Sequence, residues 1–233
     1  MLQLFSKSEA ALIFRVSGRT GPYQRPSKRF PSEEVPKDFT PSVLAYADAM
    51  RQVYKQFGEN DLDIITLTAD ALMNTAPWGL YDSRTGKPNL STPVLEVKEI
   101  LERGLRHPDA KHHPGILHMY IHLVEMSDQP EIAVIAADHL RTLIPDAGHL
   151  HHMPSHIDVI IGDYRRALQT NLKATIADDK YYQREGGKNF YTFYRMHNYH
   201  SLVYGAMMAG QASVALEAAS RIEATLTERC AIG

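Results

Sequence analysis

The chain has 233 residues, a formal net charge of −2 and a pI near 6.6, with 44% hydrophobic and 22% charged residues. That is enough chain to bury a core, and the balanced charge excludes a bulk pull towards nucleic acid or an anionic membrane. No apolar run reaches the roughly 18 residues of a membrane helix, and the single cysteine, Cys230, excludes an internal disulfide. A reducing, cytoplasmic address is expected, with neither nucleic acid nor membrane as a partner. Nothing resembles a signal peptide, because the apolar patch near residues 10–16 is short and broken by Arg15.

Residues 1–39 carry Pro22, Pro26, Pro31 and Pro36 with little helical periodicity, and read as a poorly ordered segment with one short helix near 7–15. A helical-repeat domain is expected over 40–229. Thr40-Pro41 is an N-cap signal, followed by Val43, Leu44, Ala47, Met50 and Val53 at helical spacing as far as Phe57-Gly58. A second helix is predicted over 62–74, a loop over 79–91, and a third helix from Thr92-Pro93 to about Arg106. Further helices follow over 113–126, 130–143, 149–161, 163–179, 195–209 and 212–228. Pro154 lies inside the 149–161 helix, which therefore either begins near Met153 or is kinked. No stretch alternates with period two, so no strand is expected.

Three junctions repeat. Ala133 of Asp128-Gln-Pro-Glu-Ile-Ala133 and Ala167 of Gly162-Asp-Tyr-Arg-Arg-Ala167 stand one tetratricopeptide period apart, about 34 residues. Ala215, after Gly210, follows Ala167 by one such period plus an insertion of about 14, matching the tyrosine-rich stretch 180–194. The fold class is therefore all-α, with tandem helix-turn-helix repeats of the tetratricopeptide type forming a short right-handed superhelix. One helix pair cannot bury its apolar face alone, so neighbouring pairs share a continuous core.

All twelve histidines fall between His107 and His200. In the same register, His118 stands one period before His152, and His122 one period before His156. One period plus the insertion separates His152 from His200, and likewise His149 from His197. His118 and His122, like His152 and His156, are four apart, and His197 and His200 three apart, so each pair shares a helix face. Two imidazoles on one face are the geometry by which a helix grips a metal ion. The first helix of each repeat lines the concave wall. His118, His122, His152, His156, His197 and His200 are accordingly the expected metal ligands. Glu125, two turns after His118, is a further ligand or the general base on a metal-bound water. His113, ahead of Pro114-Gly115, either caps its helix or joins the site. His107, His112, His139 and His151 fall outside this set and read as surface. Tyr120, Tyr194, Tyr199 and Tyr204 fill core space or supply hydroxyls, while Met196, Met207 and Met208 read as core filling.

Several blocks resemble a known family: Tyr46-Ala-Asp-Ala-Met50, Ala71-Leu-Met-Asn-Thr-Ala-Pro-Trp78, His113-Pro-Gly-Ile-Leu-His118, Ile121-His-Leu-Val-Glu125, His152-Met-Pro-Ser-His156 and Met196-His-Asn-Tyr-His200. Over residues 28–228 the chain is similar to the histidine-rich tetratricopeptide-domain proteins of bacteria and filamentous fungi. The resemblance implies a helical-repeat fold but no particular reaction. Members carry further repeats on both sides, and the segment before Lys28 does not match, which implies a shortened or differently spliced member.

No phosphate-binding glycine loop, nucleophile elbow or nucleic-acid module is present in the sequence. The expected function is to bind a divalent transition metal (zinc, copper, iron or nickel) on the concave wall. On this reading the protein acts as a metal-binding protein or as a metal-dependent enzyme on a small molecule. The alternative is a non-catalytic scaffold that takes a peptide or partner protein in the same groove.

Overall fold

The structure is a computed structural model, and it describes Arg29 and residues 36–230. The helix near 7–15, and all of the 1–39 segment expected to be poorly ordered except Arg29 and residues 36–39, lie outside the described residues. By its internal contacts the chain divides into two compact units. The first runs to Met119 and takes in Met126–Asp128; the second comprises Tyr120–Glu125 and everything from Gln129 onwards.

In the first unit, α1 (Thr40–Phe57), α2 (Leu62–Met73) and α3 (Val94–Leu105) form at the predicted places. The caps differ from expectation. Thr40 is already helical, and its N–H donates to the side chain of Asp38 at 2.9 Å, so Asp38 does the capping. Neither Thr40 nor Thr92 caps with its hydroxyl; Thr92 donates to the carbonyl of Asn89 instead. Asp61 caps α2 by accepting from Ile64 N–H at 3.0 Å. Ala47, Met50 and Val53, Ile65, Ala69 and Leu72, then Val97, Ile100 and Leu101 are buried, as their spacing predicts, whereas Leu44 is exposed. Gly104 keeps α3 close to its neighbours, because a Cβ there would stand 2.4 Å from Ile116 Cδ1 and 2.9 Å from Ile65 Cγ2. The 79–91 loop is held by an isolated antiparallel bridge between Tyr81 and Pro88, and Leu80 and Tyr81 are buried.

Helix α4 (Pro114–Val124) begins in the first unit and ends in the second. The second unit then runs through a 3-10 turn (Pro130–Ala133), α5 (Val134–Leu140), α6 (Gly148–His152), α7 (Pro154–Ile160), α8 (Tyr164–Glu185), α9 (Tyr191–Met208) and α10 (Ala212–Cys230). The predicted 149–161 helix is thus two. Pro154 has no N–H to continue the ladder and becomes the first residue of α7, while Met153 stays in helical geometry at φ −50°, ψ −43°. The two glycine junctions are built alike. Gly162 (φ 82°) and Gly210 (φ 71°) both end a helix in the left-handed region. After each, the next N–H returns to an earlier carbonyl of the same helix, Asp163 to Asp158 and Gln211 to Ala206, both at 2.8 Å.

The insertion is not a loop of its own. It lengthens α8 and starts α9 early, because its aromatic residues pack on one another: Tyr181 on Tyr191 at 4.4 Å between ring centroids, and Tyr191 on Tyr194 at 5.8 Å. Arg195, nearly fully buried, stacks on Tyr182 (4.3 Å) and Tyr199 (4.9 Å), pairs with Asp179 and donates to Thr225 of α10. Leu168, Tyr199, Leu202, Ala206, Ala215 and Ala218 form the apolar core where α8, α9 and α10 meet. Met207 and Met208, expected to fill that core, face solvent at the end of α9.

Candidate metal centre

The imidazoles gather within the second unit, where α4 contributes His122, α6 His149 and His152, α7 His156 and α9 His197. Two interactions orient the helices that carry them. On α7, Asp158 is buried and takes a two-pronged bond from Arg141 (Nη1–Oδ2 2.8 Å, Nη2–Oδ1 2.5 Å), whose Nη1 also donates to Thr170 of α8. At the start of α6, Gly148 lets the buried Asp178 of α8 approach: a Cβ there would stand 1.9 Å from Asp178 Oδ1. Asp178 in turn accepts from Tyr191 and Asn198 of α9, each at 2.7 Å.

At the centre, His152 Nε2 lies 2.8 Å from His156 Nε2 and 3.0 Å from His197 Nε2. One ligand nitrogen from each of the three lies within 4.8 Å of the other two. The opposite nitrogens of His152 and His156 are committed. Asn171, fully buried on α8, donates through Nδ2 to the Ala167 carbonyl (2.9 Å), so its Oδ1 is an acceptor facing His152 Nδ1 at 2.7 Å. His152 must therefore carry its proton on Nδ1 and a lone pair on Nε2. His156 Nδ1 donates to Glu125 Oε2, so in the neutral ring its Nε2 is a lone pair too. The two Nε2 lone pairs face each other at 2.8 Å and repel unless a cation, a proton or a metal ion, lies between them.

Glu125 is shared. Its Oε1 accepts from His122 Nδ1 at 2.8 Å while its Oε2 serves His156. Burial alone would push this carboxyl up, but the His156 ring and the bonds from His122 and His156 outweigh it and hold the group well below the usual carboxylate range. Loss of solvent, followed by the neighbouring imidazoles, carries His149 and His152 well below the ordinary histidine value, and the same causes bring His197 to about 4. These three rings are neutral at pH 7, the form that ligates a metal.

The remaining candidates stand as follows. His118, one turn before His122 on α4, offers a ring nitrogen within 4.8 Å of one from His122. His200, one turn after His197, is exposed and belongs to neither group of converging ligand atoms among the described residues. His113 caps α4: its Nδ1 accepts from Ile116 N–H at 3.2 Å, and its Nε2 bonds Asp63 at 3.1 Å. His151, expected at the surface, is buried. Tyr199 gives its hydroxyl to Asp179 (2.8 Å), Tyr120 is buried, Tyr204 is exposed, and Tyr194 meets the His149 ring edge-on at 5.1 Å. The ligand assignment made from sequence omits His149, although the register already pairs it with His197. Asn171 gave no signal as a site residue beyond being polar at a position where α8 turns inward.

No protein-family model matches the chain, and no curated protein matches it. Among solved structures, the crystal structure of MamA, a TPR-like helical-repeat protein, matches with a TM-score of 0.55, covering 84% of this chain and 99% of that one. The fold is a tetratricopeptide-type helical repeat. At 11% identity the likeness speaks for the fold alone, so the resemblance to the histidine-rich family rests on the sequence blocks themselves. No helix among the described residues is long and apolar enough to cross a membrane.

Proposed function

We propose that this chain is a metal-binding helical-repeat protein whose centre is formed by His152, His156 and His197. The observation that carries the reading is the approach of the His152 and His156 Nε2 atoms to 2.8 Å, with both Nδ1 atoms held elsewhere. A tetrahedral ion with bonds of about 2.0–2.1 Å spaces its ligand nitrogens by roughly 3.3 Å. The observed 2.8 and 3.0 Å need open by only a few tenths of an ångström to admit it. Asn171 and Glu125 then act as the carbonyl and carboxylate partners that fix imidazole ligands in their tautomer and orientation. Glu125 orients two rings in this arrangement rather than ligating the ion.

Three imidazoles leave a fourth position free, the pattern of catalytic rather than closed structural zinc sites, and that position takes water or an oxygen of a small molecule. The imidazole set suits zinc, copper, iron or nickel. The test is to strip the full chain of metal, titrate it with zinc against a chromophoric chelator, and follow proton release. Stoichiometric zinc with release of a proton is expected, and His152→Ala should abolish binding at this centre. A chain that takes up no zinc would leave the scaffold reading in its place.

A further inference from the structure

We propose a second divalent-metal site beside the first, built on His122 and His149, with Glu125 as the one carboxylate that orients an imidazole of each centre. The inference rests on the metal reading above. His122 Nδ1 bonds Glu125 Oε1 at 2.8 Å, which turns its Nε2 away from the carboxylate, as the bond to the other oxygen does for His156. His149 offers a nitrogen within 4.8 Å of one from His122. The His122 and His149 rings lie 6.3 Å apart at 29°, and His149 in turn stacks on His152 at 6.1 Å and 28°. His149 thus lies beside both His122 and His152, while the His122 ring also meets His156 edge-on at 5.7 Å. The His152, His156 and His197 nitrogens that face each other are used by the first ion; those of His122 and His149 are not needed for it. Two neighbouring cations repel, and the ionised Glu125 between their ligands offsets part of that repulsion.

Zinc titration of the metal-free full chain should end at two ions per chain, and His149→Gln and His122→Gln should each end at one with helical circular dichroism unchanged. His152→Gln should also retain one, at the second site. A parent chain that stops at one zinc, kept in His149→Gln, would overturn the second site and leave the first reading standing. No zinc in the parent overturns both. Loss of all zinc from a helical His149→Gln protein would mean one shared centre, and would also overturn the second site. The parent's stoichiometry decides the question even if neither variant folds.

Discussion

An imidazole binds a cation only through a nitrogen that bears no proton, and the partner of its other nitrogen decides which one that is. For His152 that partner is Asn171, whose own amide is tied to the Ala167 carbonyl, so the tautomer is settled by a helix backbone at the far end of two hydrogen bonds. Asn171→Leu keeps the volume and removes the acceptor. Zinc affinity should fall by about 10–100-fold, the usual effect of losing a partner behind a metal ligand. Asn171→Asp, which restores an acceptor, should recover most of it. Competition titrations of the two variants measure this; equal affinity in Asn171→Leu and the parent would remove Asn171 from the site.

Whole elements are positioned by contacts that carry no ligand. Helix α6 is only five residues long and cannot stand alone. It is placed by the close approach of Gly148 to Asp178 and by that carboxylate's bonds to Tyr191 and Asn198. Gly148→Ala forces a methyl group onto Asp178 Oδ1 and the Ala174 carbonyl. We expect a loss of about 1–3 kcal/mol, or about 2–10 °C in Tm for a protein of this size. A thermal melt of the metal-free protein reads it, and an unchanged Tm would show that α8 gives way freely. The break at Pro154 belongs to the same scale: it ends the hydrogen-bond ladder of α6, while the helical geometry of Met153 keeps His152 and His156 one turn apart.

Across the whole molecule, the clustered imidazoles make stability depend on pH. His149, His152 and His197 are depressed, His197 to about 4. Between about pH 6.5 and 4 the unfolded chain therefore binds protons that the folded chain does not. Glu125, also depressed, adds the same imbalance as pH falls through the carboxylate range. The unfolded state binds more protons in both windows, so the metal-free protein should lose stability steadily as pH drops below about 6.5. Urea midpoints at pH 7.5, 6 and 5 measure it, and a flat or rising trend towards acid would contradict the assigned protonation states. Zinc should raise the midpoint at pH 7.5 and lose that effect as its ligands protonate in the folded chain, His197 at about pH 4.

The repeat and its register were legible in the residues alone, because the glycine junctions, the alanines one period apart and the histidines one helical turn apart are local or periodic signals. They pointed to the junctions at Gly162 and Gly210 and to pairs of histidines sharing a helix face. What they could not reveal is how α8 meets α6 and α9 in space. Asn171 lies 19 residues from His152, and Glu125 lies 31 from His156. Nothing periodic links such pairs; only packing brings them within a hydrogen bond. In the tertiary structure His200, which the register places as well as His197, faces solvent. His149 stacks on His152 there, because a helix face is chosen by which neighbours cover it and not by spacing. The histidine-rich wall was thus determined by sequence, and which of its nitrogens converge, and with what protons, by the fold.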